Sequence, residues 1–172
     1  IWSSRYIMLR PFFESSTVTV LKSGIKILFS TSVEFHPVYG YSLNITDIDP
    51  GYTIGDLARK KQEVIRKLRE QGVMEMNREL SFPTVPQRIA VISSGTAAGF
   101  GDFTESIRSN PQGFRFKTRL FPAVMQGDEA VPSMIAALEA VFEQGSEFDC
   151  VVLIRGGGSR ADLECYNEYE LA

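Results

Sequence analysis

The residues best placed to do chemistry stand near the end of the chain, where Arg155 is followed by Gly156, Gly157, Gly158 and Ser159. Three successive glycines pack nothing, so the backbone there either turns freely or admits a close approach. The apolar, β-branched run at 151–154 just before them predicts a strand buried on both faces, as in a parallel sheet. Ser159 precedes Asp162 by three residues, the spacing of a capping box that starts a helix. A strand, a glycine turn and a helix start aim several backbone N–H groups at one point, which suits a phosphate. Arg155, at the strand tip, adds a planar fork that can grip the same phosphate through two hydrogen bonds. Glycine turns after parallel strands also occur with nothing bound, and Arg155 could equally serve a surface salt bridge, so the residues alone leave both readings open.

A second turn of small residues covers 93–99, with an apolar strand at 89–92 before it and a helix at 100–107 after it. Ser93, Ser94, Gly95 and Thr96 there offer hydroxyls and a flexible backbone for another anion. Asp102 follows, able to orient or deprotonate a water or to hold a metal ion. As an alternative it would complement the positive end of the helix from the first turn. Two anion-holding turns with one carboxylate and one guanidinium suit phosphodiester cleavage, where clamping of the charged phosphoryl group supplies much of the catalysis.

These residues need a scaffold that brings positions 60 apart together. From residue 86 onward the pattern alternates strand and helix, with a strand at 114–121 and a helix at 131–142 whose apolar spacing runs through Met134, Ile135, Leu138 and Phe142. Repeated units of this kind predict an α/β fold, a Rossmann-like parallel sheet with helices. Sites in such sheets lie beyond the carboxyl ends of the strands, so the turns at 93–102 and 155–159 should converge there, on parallel strands starting at Ile89 and Val151.

Upstream, residues 1–50 read as β. Residues 1–4 suggest a strand and 6–9 a following turn or helix. Residues 25–34 form a strand, 36–40 a hairpin turn containing the single histidine, His36, and 41–48 a half-buried alternating strand. Phe12, Phe13, Phe29, Phe35, Tyr39 and Tyr41 are expected to be mostly packed, with stacking on bases as the functional alternative. Pro50 and Gly51 end this part. Thr53, with Asp56 three residues on, is expected to cap a helix whose apolar stripe is Leu57, Val64, Ile65 and Leu68. Its other face carries Arg59, Lys60, Lys61, Arg66, Lys67 and Arg69. That face could track a phosphate backbone. It could also be a solvated surface laced by pairs such as Glu63–Lys67 and Arg66–Glu70. Gly72 should stop the helix, and Pro83 and Pro86 mark a linker.

The composition is that of an ordinary soluble globular chain of 172 residues, 44% hydrophobic and 23% charged. Its net charge of −3 argues mildly against a nucleic-acid binder. The distribution is uneven: residues 1–80 carry 11 basic and 9 acidic side chains, residues 81–172 carry 7 and 12. Cys150 and Cys165 lack metal-site spacing and fit a reducing, cytoplasmic setting. No run is long enough to span a membrane, and no signal peptide is visible.

Three blocks carry a family resemblance. They are Arg155-Gly-Gly-Gly-Ser159 with Asp162-Leu163 and Asn167, then Pro86-Gln-Arg-Ile-Ala-Val-Ile-Ser-Ser-Gly-Thr-Ala-Ala-Gly-Phe-Gly-Asp102, and Phe121-Pro-Ala-Val-Met-Gln-Gly-Asp128 between them. In this order and spacing they resemble the large subunit of exodeoxyribonuclease VII, and the resemblance extends over the whole chain. It implies the middle of a longer protein: 1–50 the later part of an OB-fold, 51–85 a basic linker helix and loop, and 86–172 the start of an α/β catalytic domain. It implies hydrolysis of single-stranded DNA from both ends to short oligonucleotides, together with a small helical partner subunit. Asp102 matches an acidic residue and Arg155 an arginine that the family's activity needs. The family places a further catalytic histidine and acid downstream, so this chain alone is expected to be inactive. No cofactor is required by the resemblance, Mg2+ remains admissible, and no metal site is expected. An OB part without its first strands leaves a homodimer or strand swap open. A non-catalytic single-strand-binding module and a nucleotide-binding α/β domain stand as the alternatives.

Overall fold

The computed structural model describes residues 3–157 and 160–172. The chain divides into two compact units, Ile1–Arg66 and Lys67–Ala172.

The first unit opens with helix α1, Ser3–Thr17. A helix replaces the strand expected at the start. Leu9, Phe13 and Thr17 recur every four residues and are all buried, which aligns them on one face. Pro11 lies inside the helix on its exposed side, where water can take up the carbonyl that loses its partner. The helix ends as the Thr17 hydroxyl donates to the Phe13 carbonyl at 2.8 Å and Val18 turns into the left-handed region at φ 57°.

Strands β1, Leu28–His36, and β2, Gly40–Asp49, form an antiparallel hairpin running from Leu28↔Asp49 to His36↔Gly40, with a register shift between Ser30 and Thr31. The turn falls at 36–40 as expected. Gly40 adopts φ +75°, and the Val38 N–H donates to His36 Nδ1 at 3.2 Å. Leu9 and Phe13 pack with Ile48, and Ile45 joins them at the margin. The outer half of the hairpin is uncovered. Among the six aromatics expected to be mostly packed, only Phe13 is buried; Phe12, Phe29, Phe35, Tyr39 and Tyr41 are exposed. The cause is architectural: a two-stranded ribbon with one helix at its base has nothing to lay over its far end.

Helix α2 covers Pro50–Glu70. It begins three residues earlier than the expected Thr53 cap. The Asp49 carboxylate accepts the Gly51 N–H at 2.8 Å, and Pro50 takes the first helical position, where its missing N–H costs nothing. Thr53 is instead buried inside the helix, its hydroxyl donating to the Lys26 carbonyl at 2.9 Å. Arg59, Lys60, Lys61, Arg66, Lys67 and Arg69 are all exposed, as the stripe predicted. Asp56 pairs with Arg59 at 2.7 Å and Lys60 at 3.4 Å, and Arg59 also reaches Glu63 at 2.5 Å. The Arg59 hydrogen bond holds the Asp56 carboxyl below its ordinary range.

In the second unit, Gly72 ends α2 as expected, at φ +72°. Its N–H bonds the Arg69 carbonyl and the Val73 N–H bonds the Leu68 carbonyl, both at 3.0 Å, closing a Schellman motif. Helix α3, Met76–Glu79, precedes the proline-marked loop. Then come β3 (Arg88–Ser93), α4 (Ala98–Arg108), β4 (Lys117–Pro122), α5 (Ala130–Phe142) and β5 (Cys150–Leu153). The three strands form a parallel sheet in the order β4-β3-β5, so the unit has the α/β, Rossmann-like architecture that the alternation predicted. Ala90 and Ile92 of β3 and Phe121 of β4 pack with Met134, Ala137 and Val141 of α5 in the core.

One expectation changes here. The run at 151–154 is not buried on both faces: among the described residues β5 pairs only with β3, and Val151 is 43% and Leu153 38% exposed. The helix expected after the glycine turn is a 3-10 helix, Arg160–Asn167. The expected capping role of Ser159 lies outside the described residues, as does Gly158.

Asp149 staples the entry of β5 to that of β3. It accepts the N–H groups of Gln87 at 2.9 Å and Arg88 at 2.8 Å, and the Arg88 guanidinium at 3.1 and 2.5 Å. The Arg88 side chain, then the Arg88 N–H, lower its carboxyl from 3.8 to about 2. A carboxyl depressed in the folded state stabilises the fold above the unfolded value and loses that contribution as pH falls toward the folded value. The Tm difference between wild type and Asp149→Asn should therefore be full above pH 5, shrink below about 4 and close near 2. A difference that does not change across melts at pH 6, 4 and 2 would show that the carboxylate is not the staple.

Candidate active site at the carboxyl edge of the sheet

The chain leaves β3 toward β4 on one side, while β5 lies on the other side of β3. Strand order reverses between β3 and β5, and the turns that follow these two strands leave from neighbouring strands at the same edge. In open α/β sheets this crevice is the usual ligand site. The two turns meet there, as their sequence patterns required. The Ser93 hydroxyl donates to the Ile154 carbonyl at 2.6 Å. A Cβ on Gly99 would lie 2.6 Å from the Arg155 carbonyl oxygen, and one on Gly156 would lie 3.6 Å from Ala97 Cβ.

The candidate residues divide by burial. Ser93 is fully buried, and its hydroxyl is committed to clamping the two turns together. Ser94 is half-buried, with its hydroxyl 3.1 Å from that of Thr96; Gly95 and Thr96 are exposed. The turn closes through the Ala97 N–H to the Ser94 carbonyl at 3.0 Å. Gly156 is half-buried and Gly157 exposed. Among the described residues, the N–H groups of Gly95, Thr96, Gly156 and Gly157 donate no backbone hydrogen bond. N–H groups without protein partners are taken up by water or a ligand, so these four make the edge a candidate anion site.

Asp102 is exposed on α4. It sits in the second turn, and the first turn holds no acid, so the helix-dipole alternative does not apply. It stands three residues after Gly99, the position of α4 that meets the Arg155 backbone. Arg155 is half-buried, its Nε donating to the Gly156 carbonyl at 3.0 Å. Two residues escaped the sequence reading. Gly99 permits the close approach of α4 to the 154–155 turn, and only its place among small residues hinted at this. Tyr166 carries a hydroxyl oxygen that is enclosed and has no hydrogen-bond partner among the described residues. Burial first, then Cys165, pushes its pKa up, and the charge of Arg155 offsets this only in part. Nothing in the sequence marked it.

Removing the clamp tests this geometry. Ser93→Ala leaves the Ile154 carbonyl without its partner and should cost ~1–2 kcal/mol, read as a lower urea midpoint. An unchanged midpoint would mean that the turns are held by other contacts.

The fold and this edge define the class: an α/β unit with a switch-point crevice between the turns that follow β3 and β5. The chain belongs to the exonuclease VII large-subunit family, whose description, "Exonuclease VII, large subunit", matches residues 73–172. It is 36% identical to the exodeoxyribonuclease 7 large subunit of Deinococcus radiodurans over 100% of this chain and 42% of that protein. The large subunit of Ligilactobacillus salivarius is 37% identical over 88% of this chain and 33% of its own length. That of Lactobacillus johnsonii is 31% identical over 94% and 35%. The chain thus spans between a third and about two-fifths of these relatives. Among the described residues, no helix is long and apolar enough to cross a membrane, and no three His, Cys, Asp or Glu side chains group as metal ligands.

Proposed function

We propose that the full-length protein hydrolyses phosphodiester bonds of single-stranded DNA from both ends to short oligonucleotides, acting as a large subunit with a small helical partner in the cytoplasm. The observation that carries this reading is the convergence of the β3 and β5 turns, which brings the backbone of Arg155 against Gly99 of α4, the helix that also carries Asp102. In this reading a scissile phosphate sits in the cradle of Ser94, Gly95, Thr96, Gly156 and Gly157, which Gly158 and Ser159 would extend. Arg155 neutralises charge on the non-bridging oxygens. Asp102 orients a water and takes its proton. The water oxygen bonds to phosphorus, the bond to the leaving sugar oxygen breaks, and solvent protonates that oxygen. Mg2+ would find a ligand in Asp102, where it would polarise the phosphoryl oxygens.

We read residues 1–50 as the later part of an OB-fold. A helix followed by two antiparallel strands matches the end of such a barrel, and its last hairpin loop is one that OB-folds turn toward oligonucleotides. Here that loop carries Tyr39, 84% exposed, with its ring 4.8 Å from that of His36. The exposed cations of α2, namely Arg59, Lys60, Lys61, Arg66 and Lys67, would track the phosphate backbone. The uncovered β1–β2 ribbon leaves a homodimer or strand exchange open for the chain on its own.

The test is digestion of 5′- and 3′-end-labelled oligonucleotides by the full-length protein with its small subunit. Shortening of single strands from both ends, with duplexes spared and the 172-residue chain inactive alone, is expected. Intact single strands after incubation would refute the reading.

A further inference from the structure

A second charged feature lies at the opposite end of the sheet. Val85, Gln87, Arg88, Arg115, Lys117 and Asp149 line a cavity of about 440 Å³ at the amino ends of the strands. Three cations face one acid here, within a half of the chain that is acidic overall. The acid is spent: Asp149 accepts four hydrogen bonds from Gln87 and Arg88. Arg115 and Lys117 are exposed, and neither forms an ion pair among the described residues. The floor is fixed, because the Lys117 N–H bonds the Gln87 carbonyl at 2.7 Å. Arg119, two residues on, is committed to Gln144 and to Glu147 at 3.6 Å, so the open charge ends at Lys117.

We propose that this cavity is a phosphate-binding exosite for the single strand, with Arg115 and Lys117 each neutralising one backbone phosphate. This rests on the reading of the carboxyl edge as the place of cleavage. Lys117 opens β4 and Arg115 lies two residues before it, and both line the cavity, so two separate cations meet whatever occupies it. From Arg88 to Ser93 the sheet spans about 17 Å. A strand held at the amino edge and cut at the carboxyl edge is therefore gripped several nucleotides from the scissile bond, and substrates too short to reach both edges gain nothing from the exosite.

The experiment uses the full-length protein with its small subunit, comparing wild type, R115Q/K117Q and the charge-keeping R115K/K117R. Both cations lie on the surface, so folding is retained, and circular dichroism verifies it. The probes are a fluorescent 20-nucleotide oligothymidylate, a trinucleotide and inorganic pyrophosphate. For R115Q/K117Q the slope of log binding constant against log salt should become shallower by about 1.4, two phosphates at roughly 0.7 each. KM for the long strand should rise at least about fivefold while trinucleotide hydrolysis stays unchanged; R115K/K117R should match wild type. An unchanged salt slope overturns the exosite and leaves the two cations as edge-strand charges that deter sheet-to-sheet pairing. Loss of pyrophosphate binding with an unchanged oligothymidylate slope overturns it in favour of a small-anion site. The slope is read from binding alone, so a wild-type protein that binds but does not cut refutes the cleavage reading separately, and one that does not bind single strands refutes both.

Discussion

Asp102→Asn in the full-length protein should lower hydrolysis of single-stranded DNA by ~10²–10⁴-fold, the range of a lost acid–base partner, with no change in Tm. The substitution keeps size and hydrogen bonding and removes only charge and basicity. Asp102 is exposed on the second turn of α4, so its side chain adds little to packing and the fold should tolerate the change. Arg155→Ala should have a comparable effect through a different route. Its guanidinium would stabilise charge that grows on the phosphoryl oxygens, and its half-buried place makes it count for more than a fully solvated one. Because Arg155 is half-buried, truncation also removes packing, so Arg155→Lys serves as the companion variant. Lysine keeps the charge and loses the fork; a fold that is intact with a rate still at least tenfold down would separate chemistry from stability. The measurement is the initial rate on an end-labelled single strand, beside a thermal melt. Rates near wild type for Asp102→Asn would move the water-activating role elsewhere.

Much of the second unit was legible because its signals are redundant. The apolar run before Ser93, the small-residue turn and the helical spacing of Met134, Ile135 and Leu138 each point to the same alternation, and β3, α4, β4 and α5 fall within a few residues of the expected places. What the run at 151–154 could not show is its place in the sheet. Four consecutive apolar residues look alike in a central strand and at an edge, and only the pairing decides it: among the described residues β5 pairs with β3 alone. The first helix was hidden for a local reason. Its buried row is Leu9, Phe13 and Thr17, so one of three positions is polar, and Pro11 argues against a helix interior. Thr53 misled because a side chain that can cap can also bond a distant carbonyl, here that of Lys26. The hairpin aromatics could not be placed at all from residue type, since exposure depends on what covers them. At the site, the sequence supplied the groups with open N–H donors. It could not reveal that Ser93 is a clamp, because that depends on the carbonyl of a residue 61 positions away.

The sharpest structural test of the site lies in a pair of glycines on α4. Replacing glycine by alanine inside a helix normally stabilises it by up to ~1 kcal/mol, because alanine loses less backbone freedom on folding. Gly101→Ala should follow that rule: a Cβ there meets nothing within 4 Å. Gly99→Ala should have the opposite sign. Its Cβ would sit 2.6 Å from the Arg155 carbonyl oxygen and 3.3 Å from Ile154 Cγ2. The nearer atom is backbone, so no side-chain rotation relieves the clash; either α4 or the 154–155 turn must move. Overpacking of this kind costs ~1–3 kcal/mol, enough to exceed the helix-propensity gain. The displacement falls on the turn that presents Arg155 and the Gly156 N–H, and a misplacement near 1 Å at a reacting centre can cost ~10²-fold in rate. Gly156→Ala is the spatial control, since its Cβ would make only ordinary contact at 3.6 Å with Ala97. In urea unfolding the midpoint should therefore rise or hold for Gly101→Ala and fall for Gly99→Ala, with the rate on single-stranded DNA falling only for the latter of the two. If Gly99→Ala proves as stable and as active as Gly101→Ala, the β3 and β5 turns do not approach as closely as this geometry requires, and the single crevice that joins Asp102 to Arg155 is lost with it.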